Sequence, residues 1–308
     1  MNRYCLGWTV GLLVTATLFA WPSQAAAQGV LGGLTEEVAH GTQTAKKKKK
    51  KKDKPPEQQQ HSGWHWDDDH YYHHDDDDHY NPWSLGIGAV IAPVIWYGLT
   101  SPFWVPPQAV QDDGEPHYTF KAYPYQADSP GYMQHELHGQ PVRTVYPWTL
   151  RLSGEYADEF DAVRRAGVRA LFETQSRLGI DASLDYFWEP HVAAGTNDLW
   201  LGDANVVFRF AQSDRLSMRA GLGMNYLTGY GSTDFGFNFT YGGDWFPRRP
   251  WIVSADLDVG TLGKVGFFRG RATVGVNIRK VEFYTGYEYL DVGTTQIGTV
   301  LGGIRLWY

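Results

Sequence analysis

Between His61 and Tyr80 the chain concentrates six imidazoles and seven carboxylates in one short tract. The candidate ligands are His61, His65, Asp67, Asp68, Asp69, His70, His73, His74, Asp75, Asp76, Asp77, Asp78 and His79. Imidazole suits zinc, copper and nickel, whereas carboxylates suit calcium, magnesium and manganese. Paired ligands at a fixed helical spacing are missing, so the tract specifies neither one metal nor one geometry. Just upstream, Lys46 to Lys52 form an unbroken lysine run, followed by Asp53, Lys54, Pro55, Pro56 and a glutamine tract. Like charges at successive positions repel and bury no apolar surface, so the plain reading is a solvated linker. The functional reading is attraction to anionic lipid or envelope polymers, a non-specific effect screened by salt. The two tracts, opposite in charge, can also neutralise each other.

Catalytic chemistry has fewer handles. His191 follows Glu189 and Pro190, with Asp198 and Ser232 further along. A general base needs a positioned partner, and nothing in this spacing brings the four together. A lipid- or peptide-acting enzyme is therefore the third reading, and no catalytic residue is assigned. Phosphate loops, zinc-hydrolase motifs and dinucleotide fingerprints are absent, so no cofactor is implied. The net charge is −7 over 308 residues, and the single basic run is balanced by acid, which argues against a nucleic-acid partner.

What must position these residues is a chain of contrasting parts. Residues 1–27 read as a secretory signal: Arg3, an apolar stretch from Leu6 to Ala20, and small residues Ala25 to Ala27 before Gln28. The one cysteine, Cys5, falls inside it, so disulfides and thiolate sites are not expected in the mature chain. Residues 28–81 read as low-complexity linker. In 82–143, Pro82 to Val105 is uncharged and about long enough to span a bilayer. Gly86, Gly88, Pro93, Gly98 and Pro102 interrupt it, favouring a packed hairpin or a short helix pair on or in a barrel end. Gln108 to Val142 reads as loop, with Tyr118 to Tyr125 a stray strand.

From Thr144 to Tyr308 the chain alternates between apolar and polar residues. Leu178, Ile180, Ala182, Leu184, Tyr186 and Trp188 fall on one side of a strand, and Arg177, Asp181, Ser183, Asp185 and Glu189 on the other. About ten such segments follow one another, with 8–12 strands the range, at the length a tilted membrane strand requires. Charges of both signs recur mid-strand on one face, among them Arg151, Glu155, Arg165, Arg169, Asp203, Arg209, Asp256, Asp258, Arg269, Arg271 and Glu288. A lipocalin-like barrel or a sandwich would turn its apolar face inward and would not need those charges. Aromatics such as Trp148, Tyr156, Trp188, Trp200, Trp245 and Trp251 stand near segment ends, where interfacial girdles form. The expected fold is a closed antiparallel transmembrane β-barrel of about ten strands, filled by internal ion pairs.

The chain ends Val300-Leu301-Gly302-Gly303-Ile304-Arg305-Leu306-Trp307-Tyr308. With alternate apolar residues before a terminal aromatic, this half resembles the bacterial outer-membrane β-barrel superfamily. Tyrosine in place of the usual phenylalanine, and Gly302 at an alternate position, depart mildly from that pattern. The resemblance implies an outer-membrane location, contact with the bilayer, and recognition of the last strand by the barrel-assembly machinery. It also implies a periplasmic C-terminus, and an even strand count then puts residues 28–143 in the periplasm as well. The sequence thus points to a non-enzymatic structural or interaction protein, or a narrow channel, with a charged periplasmic extension. Divalent-metal binding by the His/Asp tract, with the barrel as anchor, is the alternative.

A peptide spanning His61 to Tyr80 is expected to bind zinc and nickel weakly and with little selectivity, because coordination must order a flexible chain. Neutral imidazole is the ligand, so binding should fade below about pH 6. Calorimetric titration with zinc, nickel and calcium at neutral and mildly acidic pH measures this; tight, pH-insensitive binding of one metal would contradict it.

Overall fold

The computed structural model describes residues 29–41, 100–112, 114, 118–126, 129–135, 146–159, 163–189, 198–229 and 231–308. Helix α1 (Val30–His40) comes first, then a helical stretch over 100–110 and a small hairpin of β1 (Tyr118–Phe120) and β2 (Met133–His135). Ten long strands follow: β3 (Trp148–Asp158), β4 (Arg164–Thr174), β5 (Leu178–Trp188), β6 (Asp198–Gln212) and β7 (Leu216–Gly229). The rest are β8 (Ser232–Arg248), β9 (Trp251–Leu262), β10 (Val265–Ile278), β11 (Val281–Val292) and β12 (Thr295–Trp307).

Each long strand pairs antiparallel with its neighbour in sequence, and β12 returns to β3 with Leu306 opposite Leu152, closing a ten-stranded barrel. Closure removes both sheet edges, so each strand finds backbone partners on its two sides. The expected fold, strand number and strand order are all present. Short turns after β4, β6, β8 and β10 gather at the end that holds Tyr308, and the connections after β3, β5, β7, β9 and β11 gather at the other. These are called the tail end and the mouth below.

The period of two places the side chains as expected. Val168, Ile180, Val206, Leu222, Phe235, Val274 and Ile304 are exposed on the outer wall. Glu155, Arg165, Asp203, Arg209, Asp244, Arg269, Arg271 and Glu288 are buried within. Two bulges adjust the wall, one in β6 between Arg209 and Ala211, the other in β8 between Trp245 and Arg248. Beyond the first, the alternation breaks, with Ala211 and Gln212 both buried.

The N-terminal third differs from expectation in two ways. Val30–His40, assigned above to the linker, is a helix whose Leu31, Leu34 and Val38 are buried. That i, i+3, i+7 spacing gives one apolar stripe, and the stripe packs into the mouth. The mouth lies opposite Tyr308, so α1 does not share the C-terminal side predicted for residues 28–143. Residues 100–110 do form a short helix, but it lies along the outer wall: Phe103 packs on Phe210, Phe239 and Tyr241 at ring separations of 5.6, 6.3 and 5.7 Å. Asp112 then ties the chain to the tail end through Arg177 (2.6 Å) and the Gln212 amide (2.9 Å).

Val274→Arg, mid-strand on the outer wall, is expected to cost roughly 2–4 kcal/mol in a bilayer, whereas a polar residue there should be better tolerated nearer the strand ends. Reversible unfolding from lipid vesicles measures it; an arginine tolerated equally on both faces would mean the faces are wrongly assigned.

Candidate functional site: the barrel lumen

The lumen is stacked in three layers. At the mouth it is apolar, with Val163, Phe187, Leu199, Leu201, Leu227, Leu262, Val265, Phe267, Leu290, Val292 and Ile297 turned inward against Leu31, Leu34 and Val38 of α1. These residues keep the inward parity of the charges below them and sit where the strands meet their connections. Polar contacts fix the helix across the opening: the Leu31 amide donates to Glu189 Oε1 (2.9 Å), and the Lys264 amide to the Val38 carbonyl (3.1 Å). Glu37 accepts from the Thr294 amide (2.9 Å) and from its hydroxyl. Glu189 beside the first turn of α1 also suits the positive end of the helix dipole.

The middle layer is ionic. Arg165 reaches Glu155 (2.7 Å), Asp185 and Glu288 (3.3 Å). Arg169 joins Glu155 (3.3 Å) to Glu288 (3.2 Å), and Arg271 pairs with Glu155 from the far side. Arg269 holds three carboxylates at once: Asp185 (3.0 Å), Asp203 (2.6 Å) and Asp258 (3.1 Å). Nearer the tail end, Asp244 is shared by Arg151 (2.6 Å) and Arg219 (3.0 Å), while Arg305 and the Trp307 indole both bond Glu282 (3.1 Å each). The cations of this layer are all arginine, and the ten barrel strands contain no lysine. A planar guanidinium with five donors bridges several carboxylates in fixed geometry, which a lysine ammonium does not.

Space for these groups is set in part by inward glycines. A Cβ on Gly167 would lie 2.1 Å from Asp185 Oδ1, and one on Gly275 would lie 2.2 Å from Glu282 Oε1. Between the ion pairs remains a cavity of about 30 Å³ lined by Arg151, Arg169, Asp181, Arg219, Asp256 and Asp258 among others. That is room for a water or two, not for a solute path.

The third layer is the tail-end cap. The β1–β2 hairpin inserts Phe120, Tyr132 and Met133 against Phe246, Ile252 and Trp307, with Tyr125 alongside. Arg209 stacks over the Phe120 ring at 4.8 Å and Arg151 over Trp307 at 5.0 Å, so the cap is joined to the ionic layer. A bridge between Phe120 and Tyr146 ties it to the start of the barrel. Burial, partly opposed by Asp214, lowers the Lys121 pKa to about 8; its ammonium is held by the Pro130 carbonyl at 2.7 Å. Burial also pushes the Tyr125 phenol up to about 12.

The inward charges predicted from sequence are brought together. The enzyme candidates are not: Glu189 is engaged by α1, Asp198 accepts a hydrogen bond from the Tyr186 hydroxyl (3.0 Å), and His191 lies outside the described residues. The thirteen His and Asp ligand candidates from His61 to His79 also lie outside them. Among the described residues, no His, Cys, Asp and Glu cluster is arranged to hold a metal ion. Sequence reasoning missed α1 and the apolar mouth. The available signal was the inward-parity run of Phe187, Leu199, Leu201, Leu227 and Leu290, paired with the stripe Leu31, Leu34, Val38.

No protein-family model matches the chain, and no curated protein matches it. Solved outer-membrane β-barrels resemble it over its C-terminal half, at a level that concerns the fold alone. The Yersinia pestis outer membrane protein Ail, in a phospholipid bilayer nanodisc, is 14% identical, with 52% of this chain and 99% of that one covered at a TM-score of 0.31. Neisserial surface protein A is 14% identical over 52% and 94% of the two chains, TM-score 0.25. The KdgM porin is 9% identical over 51% and 98%, TM-score 0.24.

Arg269→Ala should cost about 3–5 kcal/mol, because it takes the paired arginine from buried Asp203 and Asp258 and leaves Asp185 to Arg165, whereas removing an arginine together with its partners should cost much less. Urea unfolding of the single variant against Arg269→Met with Asp203→Asn and Asp258→Asn tests this; equal losses would show that the charges do not act as a unit.

Proposed function

We propose that the protein is a non-enzymatic outer-membrane β-barrel, closed to solutes, that serves as a structural or interaction protein. The observation that carries this reading is the lumen, blocked in series by α1 and the apolar mouth, the ionic layer, and the β1–β2 cap. A narrow channel, the other form of this reading, needs a continuous wet path, and a 30 Å³ cavity between ion pairs argues against one. The outer-membrane location rests on the lipid-facing apolar wall, the aromatic ends of the strands and the export signal expected at the N-terminus. The alternating ending of β12 is then what the assembly machinery reads.

Interaction rather than catalysis is supported by the engagement of Glu189 and Asp198 in structural hydrogen bonds. The lysine run adds affinity for anionic envelope polymers or lipid. Metal binding by the His/Asp tract remains the alternative function, with the barrel as its anchor, and the peptide titration above decides it.

In planar lipid bilayers the folded protein should show no steady conductance. Deleting residues 30–40 should leave it closed, since two layers remain beneath the mouth. Steady ion current through the intact protein would overturn the reading in favour of a channel.

A further inference from the structure

The helix at the mouth is weak on its own terms. Gly29 precedes it without a side-chain cap, its first turn carries no acid, and Gly32 and Gly33 stand within that turn. Eleven residues of this composition do not hold a helix in water. Packing does not call for Gly33 either: it is exposed, and a Cβ there would meet nothing within 4 Å.

The barrel supplies what the helix lacks. Glu189, just past β5, accepts the Leu31 amide at 2.9 Å, so a carboxylate of the rim stands in for the missing cap and first-turn acid. At the other end the Lys264 amide donates at 3.1 Å to the Val38 carbonyl, one of those a helix C-terminus leaves over. The Thr294 amide donates to Glu37 at 2.9 Å. The rim therefore offers an acceptor on one side and N–H donors on the other, which matches one direction of a helix. Between them Leu31 and Leu34 meet Phe187, Leu199, Leu227 and Leu290, and no room for a water is left beneath them. Gly229 completes the fit, since a Cβ there would lie 2.8 Å from Thr35 Oγ1. An acyl chain would fill the same bowl but leave the rim groups without partners.

We propose that the mouth is a receptor for an amphipathic helix of another polypeptide, with α1 as its exchangeable resident. The helix it fits carries aliphatic side chains at i, i+3 and i+7 and a carboxylate at i+6, as α1 does with Leu31, Leu34, Val38 and Glu37. The capping groups belong to the site and the weakness belongs to the resident, so a better helix can take its place. The proposal rests on the interaction-protein reading above and names the surface on which the partner docks.

The test is uptake of a fluorescein-labelled peptide of residues 29–41 by the full chain in lipid nanodiscs, read by anisotropy against empty nanodiscs. Heat-modifiable gel mobility checks the fold. The unaltered chain should bind the peptide saturably, and Leu34→Asp in the chain, which unseats α1, should tighten binding by about tenfold or more. Gly33→Ala in the chain strengthens the resident and should weaken uptake about fivefold. A peptide carrying its own Leu34→Asp should not bind. Gly33→Ala adds one methyl facing open space, so it carries the test even where Leu34→Asp does not fold; unchanged uptake by that variant would overturn the proposal. A folded Leu34→Asp chain that takes up no peptide would do the same, as would dodecanoate displacing the peptide, which would make the mouth a seat for acyl chains. Conductance separates the two readings: a barrel that passes current yet exchanges the helix defeats the closed-barrel reading alone, and a closed barrel that refuses the peptide defeats this proposal alone.

Discussion

The rest of the structure depends on a single constraint: charge carried inside a closed sheet must be paired inside it. A ten-stranded barrel with an apolar outer wall must turn its polar half inward, where a narrow lumen leaves little water to solvate ions. The protein meets this with arginines, of which Arg165, Arg169, Arg219 and Arg269 each span two or three carboxylates. Arg269 alone gathers Asp185, Asp203 and Asp258 from three different strands. Glycines at 167 and 275 keep the carboxylates' positions open. The apolar mouth and the aromatic tail-end cap then shield that layer from both sides, strengthening each pair by keeping the surroundings weakly polar.

Against this background the two caps are different solutions to one task. At the tail end, a hairpin built from Phe120, Tyr132 and Met133 continues the barrel's own backbone pairing through Tyr146 and stacks on Arg209. At the mouth, a helix of eleven residues lies on aliphatic side chains and is held by a few contacts at its edges. The first is tied to the ionic layer by cation–π contacts, whereas the second rests on the apolar layer and on the connections around the mouth. The mouth is therefore the more easily opened of the two ends.

The barrel was legible in the sequence because period two is a strong signal when it recurs through ten adjacent segments. Val168, Ile180 and Val274 needed no partner to declare their side, and neither did Arg165, Asp203 or Arg271. Which carboxylate each arginine meets was not legible, since Arg169 and Glu288 are brought together by closure of the sheet and not by spacing. The helix α1 escaped notice for a related reason. Its stripe has only three apolar residues, interrupted by Gly32 and Gly33, and its complementary surface is dispersed over most of the barrel strands. Phe210 follows the same outward parity as Val206 and Phe208, but that the helix over residues 100–110 would cover it was not legible, since nothing in the spacing joins Phe103 to that ring.

The far-reaching pairs also bear on how the molecule comes into being. Glu155 on β3 meets Arg271 on β10, and Asp185 on β5 meets Arg269 on the same strand. Neither contact exists in any partly built sheet that lacks β10, although Arg165 can already bind Glu155 once β3 and β4 have paired. Early strands thus carry carboxylates whose neutralisation waits for late ones, and their separation along the chain makes the final pairing slow. An unclosed intermediate stays wet and loosely held, and the last strand pairing both expels the water and completes the charge balance. Assembly then behaves as a ratchet, hard to finish and harder to reverse.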